Sequence, residues 1–202
     1  MASSELPSKS AVYQLKVTLL NTAPPIWRRF QVEGDTTLDR LHEILQIVMG
    51  WENYHLYQFT VDGVEYSEPD ASLGLPVKSS RTARLSQIAP RPGVRFLYIY
   101  DFGDNWEHEI LVEKIALADV GVRYPVCLAG ERACPPEDCG GVWGYAELLD
   151  IIRDPSHERY EEMVEWLGGS FDPEAFDLDA VNRELSEIAP LTAPQEPRST
   201  GK

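Results

Sequence analysis

Apolar and polar residues alternate along 12-VYQLKVTLL-20, with Tyr13, Leu15, Val17 and Leu19 on one side and Val12, Gln14, Lys16 and Thr18 on the other, the period of a half-buried strand. Two prolines in 21-NTAPP-25 interrupt the ladder, and 26-IWRRFQV-32 reads as the returning strand of an antiparallel hairpin. The period then becomes helical. Leu38, Leu41, Ile44 or Leu45, and Val48 form an apolar stripe across 36-TTLDRLHEILQIVMG-50, with Thr36 or Thr37 placed to cap its start and Gly50 its end. A third strand, 54-YHLYQFTVDG-63, turns through Asp62-Gly63 into a short return at 64-VEY-66. Residues 67–92 are polar and rich in Pro and Ser, so they read as loop, with a short helical turn within 82–88.

Strands over 94–101 and 106–115 predict a long hairpin around Phe102 to Asn105. A loop of even length sets Asp101 opposite Trp106 and Ile99 opposite His108. That parity puts Leu97, Ile99, Asp101, Trp106, His108 and Ile110 on one face and Tyr98, Tyr100, Glu107 and Glu109 on the other. Residues 124–144 have no period, and helices follow at about 145–152, 156–167 and 178–188.

Hairpin, amphipathic helix and strand in this order predict an α+β fold: a β-grasp-like mixed sheet with one packed helix, an added long hairpin and a C-terminal helical cap. A chain of 202 residues accommodates one such domain. We expect it over 11–188, with the sheet and helix core in 11–118 and an irregular loop and acidic helical cap in 119–188. The polar ends, 1–10 and 189–202, are expected to be disordered. No apolar run approaches the roughly 20 residues of a membrane span. The opening MASSELPSKS has no apolar secretory core and the three cysteines are odd in number, so a reducing cytoplasm is the expected location.

Charge changes the picture of partners. The chain carries 18 basic and 33 acidic side chains, a net −15. Residues 131–187 hold 16 acidic against 4 basic, whereas 11–110 hold 13 against 9. Such a surface repels phosphate at long range and attracts basic proteins or peptides, which argues against nucleic acid as the sole partner. Arg28, Arg29, Arg81, Arg84, Arg91 and Arg95 would make a basic groove only if the fold gathered them.

The chemistry-bearing residues concentrate in 98-YIYDFGDNWEHEI-110. On the expected register Asp101 and His108 are diagonal neighbours, and a carboxylate beside an imidazole suits a general base, a metal ligand or a satisfied half-buried His. Asp104-Asn105 and Gly103 read as turn chemistry and Trp106 as packing. The letters DFG are not a kinase motif here, because no glycine-rich phosphate loop or H-R-D loop precedes them. His42, His55 and His108 have no short ligand spacing, and Cys127, Cys134 and Cys139, at C-x6-C-x4-C, lack the C-x2-C pair typical of zinc knuckles. No nucleotide-binding loop or nucleophile elbow occurs, so no cofactor and no metal site is assigned.

Taken together, 27-WRRF-30, 41-LHEILQIVMGWENYHLYQF-59, 98-YIYDFGDNWEHEI-110, 127-CLAGERACPPEDCGGVWGY-145 and 171-FDPEAFD-177 resemble the plasmid pRiA4b ORF-3-like family. The resemblance implies an α+β fold, a bacterial or archaeal origin often linked to plasmids and insertion elements, and no established activity. Its pattern falls on positions that include His42, Gln46, His55, Asp101, Asp104, Trp106, His108, Glu137 and Asp138, which become the candidate binding residues. The leading expectation is a non-enzymatic module that binds a protein or ligand. A metal-dependent or hydrolytic enzyme with a site around Asp101 and His108 is the alternative, and a nucleic-acid-associated accessory protein of mobile elements a further one.

Overall fold

A computed structural model of the chain describes residues 11–68 and 77–188. Eight strands form one mixed sheet. In chain order they are β1 (Ala11–Leu19), β2 (Ile26–Glu33), β3 (Tyr57–Val61), β4 (Val64–Ser67), β5 (Lys78–Ser79), β6 (Arg95–Tyr100), β7 (Trp106–Leu117) and β8 (Val126–Glu131). Across the sheet the order is β5-β4-β3-β6-β7-β1-β2-β8, every pair antiparallel except β4 with β5. The helices are α1 (Leu38–Met49), α2 (Leu85–Ile88), α3 (Gly141–Arg153), α4 (Tyr160–Trp166) and α5 (Leu178–Glu187). The α+β class and the packed amphipathic helix are therefore found. The ends expected to be disordered lie outside the described residues.

Strand alternation builds one core. Leu15, Val17 and Leu19 of β1, Ile26, Phe30 and Val32 of β2, and Phe59 of β3 point to one face of the sheet, where they meet Leu38, Leu41, Ile44, Leu45 and Val48 of α1. Tyr145 and Leu148 of α3 and Leu185 of α5 extend the same cluster. Gly50 ends α1 in the left-handed conformation at φ 97° and returns its N–H to the Gln46 carbonyl, as its position suggested. The opposite face of the sheet is polar. There Glu113 takes two hydrogen bonds from the Arg29 guanidinium, at 2.7 and 2.8 Å.

Three expectations are corrected. Residues 126–131, read as aperiodic, form the edge strand β8 against β2; the register shift between Arg29 and Phe30 in that pairing breaks strict alternation and hides the period. α3 starts at Gly141 rather than near 145, and α4 at Tyr160 rather than near 156. The third correction bears on the site: the β6–β7 loop holds five residues, 101–105, so Tyr100 faces Trp106, Tyr98 faces His108 and Leu97 faces Glu109. Asp101 and Asn105 both take left-handed backbones, at φ 55° and 56°, and the Asn105 N–H bonds to the Asp101 carbonyl at 2.6 Å. Aspartate tolerates that conformation, so the strand ends one residue early and every side chain of β6 changes face. Tyr98 and Tyr100 thus point inward with Trp106 and His108, while Leu97 and Ile99 face outward with Glu107 and Glu109.

Candidate functional site

The β6–β7 turn docks on the proline- and glycine-rich loop that precedes α3. Asp104 Oδ2 accepts a hydrogen bond from the Gly140 N–H at 3.1 Å. At Gly141, φ is +67° and a Cβ would stand 2.5 Å from the Asp104 carbonyl oxygen, so only glycine lets the two backbones approach this closely. Within the same loop Glu137 is held by two hydrogen bonds and its neighbour Pro135 by a third. Glu137 Oε1 accepts from the Tyr100 hydroxyl at 3.0 Å and from the Glu52 N–H at 2.9 Å, while the Trp51 indole N–H donates to the Pro135 carbonyl at 3.1 Å. Burial together with the Glu137 carboxylate drives the Tyr100 pKa upward and keeps this phenol protonated.

His55, in the segment between α1 and β3, enters where these loops meet. Its Nδ1 lies 3.7 Å from Asp101 Oδ1, and its Nε2 lies 3.2 Å from Asp138 Oδ1 and 3.9 Å from Glu137 Oε2. One ligand-type atom each from His55, Asp101 and Asp138 falls within 4.8 Å of the others, the one such grouping of His, Cys, Asp and Glu among the described residues. The Asp101 carboxylate is more than nine-tenths buried and accepts from the Gly103 N–H at 2.8 Å. His55 Nε2 and Glu137 Oε2 are buried atoms that make no hydrogen bond.

The expected partnership of Asp101 with His108 is absent. His108 is fully buried between Tyr98 and Trp51, and its Nδ1 lies 3.2 Å from the Tyr98 carbonyl. Burial pushes its pKa down to about 4, so it is a neutral core residue, and Trp106 beside it is also fully buried. His42 and Gln46 are buried as well, in a closed network. The Tyr98 hydroxyl lies 2.8 Å from His42 Nδ1 and accepts from Gln46 Nε2 at 2.9 Å, while His42 Nε2 donates to Asn53 Oδ1 at 2.7 Å and the Asn53 N–H donates to Gln46 Oε1 at 3.0 Å. Of the nine candidate residues, His55, Asp101, Glu137 and Asp138 therefore converge, Asp104 fastens the two loops, and His42, Gln46, Trp106 and His108 lie in the core. The signal that would have fixed the face was Arg95: a charge at the first position of β6 points out, so Phe96, Tyr98 and Tyr100 point in.

The three thiols form no grouping of ligand-type atoms among the described residues. Burial raises all three, Cys139 to about 12, which opposes redox reactivity. The arginines do not assemble into a groove. Arg28 is buried and donates to the carbonyls of Val48, Trp27, Glu131 and Arg132 at 2.7 to 2.8 Å, with the Phe176 ring 4.3 Å away. Arg29, Arg81, Arg84 and Arg95 pair with Glu113, Glu68, Asp35 and Glu109.

Beyond Asp138 a cleft of about 300 Å³ opens between α3 and α4. Leu148, Ile151, Met163 and Trp166 supply its apolar lining, and Asp138, Glu147 and Glu162 its acidic rim. Arg159 crosses the cleft between Glu147 and Glu162, at 2.7 and 3.4 Å. Trp166 is 47% exposed and Trp143, in the first turn of α3, 89%.

Comparison with known proteins places this architecture among relatives. The model of the family described as plasmid pRiA4b ORF-3-like protein matches residues 11–180. The chain is 40% identical over 193 residues to the uncharacterized protein y4hQ of Sinorhizobium fredii, covering 95% of this chain and 99% of that one. It is also similar to the crystal structure of a protein of unknown function, MM3350 from Methanosarcina mazei Go1, with a TM-score of 0.77 and 42% identity over 85% of this chain and 97% of the other.

Proposed function

The chain belongs to the plasmid pRiA4b ORF-3-like family, and from that footing we propose that it is a non-enzymatic binding module whose α3–α4 cleft takes a basic, partly apolar segment of a partner protein. One observation carries this reading: an exposed Trp166 beside an apolar floor, inside an acidic rim. Tryptophan is enriched among the residues that dominate binding energy, because it buries a large rigid surface at low entropic cost. The rim selects by charge. Residues 131–187 carry 16 acidic and 4 basic side chains, a field that steers a cationic segment toward the cleft and repels an acidic one. Arg159 is the local counter-charge, and an incoming Lys or Arg replaces it on Glu147 or Glu162.

The test uses a fluorescent peptide of alternating Lys and Leu, beside its Glu-for-Lys counterpart, with binding to the full chain read by anisotropy. The basic peptide is expected to bind, to weaken as salt is raised, and to lose about tenfold or more in affinity with Trp166→Ala. Equal binding of the acidic peptide, or an unchanged affinity in the Trp166 variant, overturns the proposal. The enzymatic alternative loses its named pair, because Asp101 and His108 do not meet. The nucleic-acid alternative loses its groove, because the arginines of the sheet face carboxylates or carbonyls.

A further inference from the structure

We propose that His55 Nε2, with the carboxylates of Glu137 and Asp138, binds one divalent first-row transition ion, of the class that accepts mixed imidazole and carboxylate ligands, while Asp101, on the Nδ1 side of the ring, orients the imidazole. The site shares Asp138 with the acidic rim of the cleft but is separate from its apolar floor. The spacing of the donors fits. With metal–ligand bonds of about 2.0–2.2 Å, neighbouring donor atoms in a coordination shell stand about 3–3.5 Å apart. His55 Nε2 and Asp138 Oδ1 are already at 3.2 Å, and Glu137 Oε2 lies 3.9 Å from the same nitrogen. Asp138 has a side chain that is 69% exposed, so it can rotate toward an ion without moving the fold.

Two further observations point to a ligand rather than to a plain charge cluster. His55 Nε2 and Glu137 Oε2 are buried and without hydrogen bonds although they face each other. A cation between them supplies both with a partner. The surroundings are also arranged as those of a ligand set. The second oxygen of Glu137 is fixed by the Tyr100 hydroxyl and the Glu52 N–H, and Asp101 Oδ1 by the Gly103 N–H, which orients the carboxylates before an ion arrives. Three carboxylates against a single imidazole leave local negative charge that a dication offsets. The imidazole nitrogen favours zinc-class ions over magnesium, which prefers oxygen donors and retains its waters.

The full chain is stripped with chelator and titrated calorimetrically with Zn²⁺, with Mg²⁺ as counter-probe, and Co²⁺ is added as an optical reporter. One Zn²⁺ per chain is expected, with Mg²⁺ much weaker, and a Co²⁺ spectrum of nitrogen and oxygen ligation. Asp138→Asn, at an exposed position that leaves the fold intact, is expected to weaken Zn²⁺ by roughly 10- to 100-fold, and His55→Gln by at least as much. Trp166→Ala is expected to leave Zn²⁺ affinity unchanged, which separates this site from the cleft. The assignment is overturned by the absence of saturable one-to-one binding, by Mg²⁺ binding as tightly as Zn²⁺, by a thiolate charge-transfer band with Co²⁺, or by variants that bind Zn²⁺ as well as the parent does.

Discussion

His42 stacks on Tyr57 at 3.7 Å between ring centroids, and the Asn53 carbonyl oxygen fixes its proton on Nε2. It and His108 share one electrostatic fate: burial lowers each pKa from 6.5 to about 4. The consequence for stability has a definite sign. Below pH 6.5 the unfolded chain binds protons on both imidazoles while the folded chain does not, so stability is complete above that value and declines as the pH falls toward 4. A shift of this size is worth on the order of 3 kcal/mol per histidine. Urea unfolding followed between about pH 7.5 and pH 4.5 is expected to show this decline, and a His108→Phe variant a shallower one. Identical slopes in the two proteins would mean that His108 is protonated in the folded state.

At the scale of elements, the contact between the β6–β7 turn and the start of α3 is made by backbone. Gly144 lies in the first turn of α3, where helix propensity alone would make alanine better by about 1 kcal/mol. A Cβ there would stand only 1.9 Å from the Cys139 carbonyl oxygen, an overlap that no rotamer relieves. Overpacking of this kind costs about 1–3 kcal/mol, so Gly144→Ala is expected to destabilise, as measured by a lower denaturation midpoint. A stabilised variant would show that α3 can slide along the loop. Arg28 teaches the complementary lesson for the other end of the molecule. Its guanidinium joins β2, the end of α1 and the segment after β8 through four carbonyls, a use of an arginine that its neighbour Arg29, turned outward onto Glu113, does not share. Strand parity separates the two: residue 28 points inward and residue 29 outward.

For the whole molecule, charge distribution decides the response to salt. A net −15 over the chain repels itself, and screening relieves that repulsion. The surface ion pairs that salt would weaken, Arg81 with Glu68 and Arg95 with Glu109 among them, are exposed and contribute little. Raising NaCl from about 0.05 M to about 0.5 M is therefore expected to raise the thermal midpoint while weakening the basic peptide. A midpoint that falls with salt would mean that the pairs outweigh the repulsion. No helix among the described residues is long and apolar enough to cross a membrane, in keeping with the polarity of the chain.

The sequence by itself determined the first hairpin, the stripe and left-handed cap of α1, the turn at Asp62-Gly63 and the acidic character of the C-terminal helices, since each follows from neighbours within a few residues. It also marked out four of the residues that converge, because carboxylates, a histidine and glycines crowd two short blocks. Which of them meet was decided only in three dimensions. One left-handed aspartate reset the parity of β6, sent His108 into the core and left Asp101 for His55, from a segment more than 40 residues earlier in the chain. β8 and the burial of Arg28 were likewise invisible, because a strand with a shifted register and a charge satisfied by distant carbonyls leave no local period. Ligand spacing along a chain reports only sites built within one loop; a site assembled from three loops exists only once the sheet has brought their ends together.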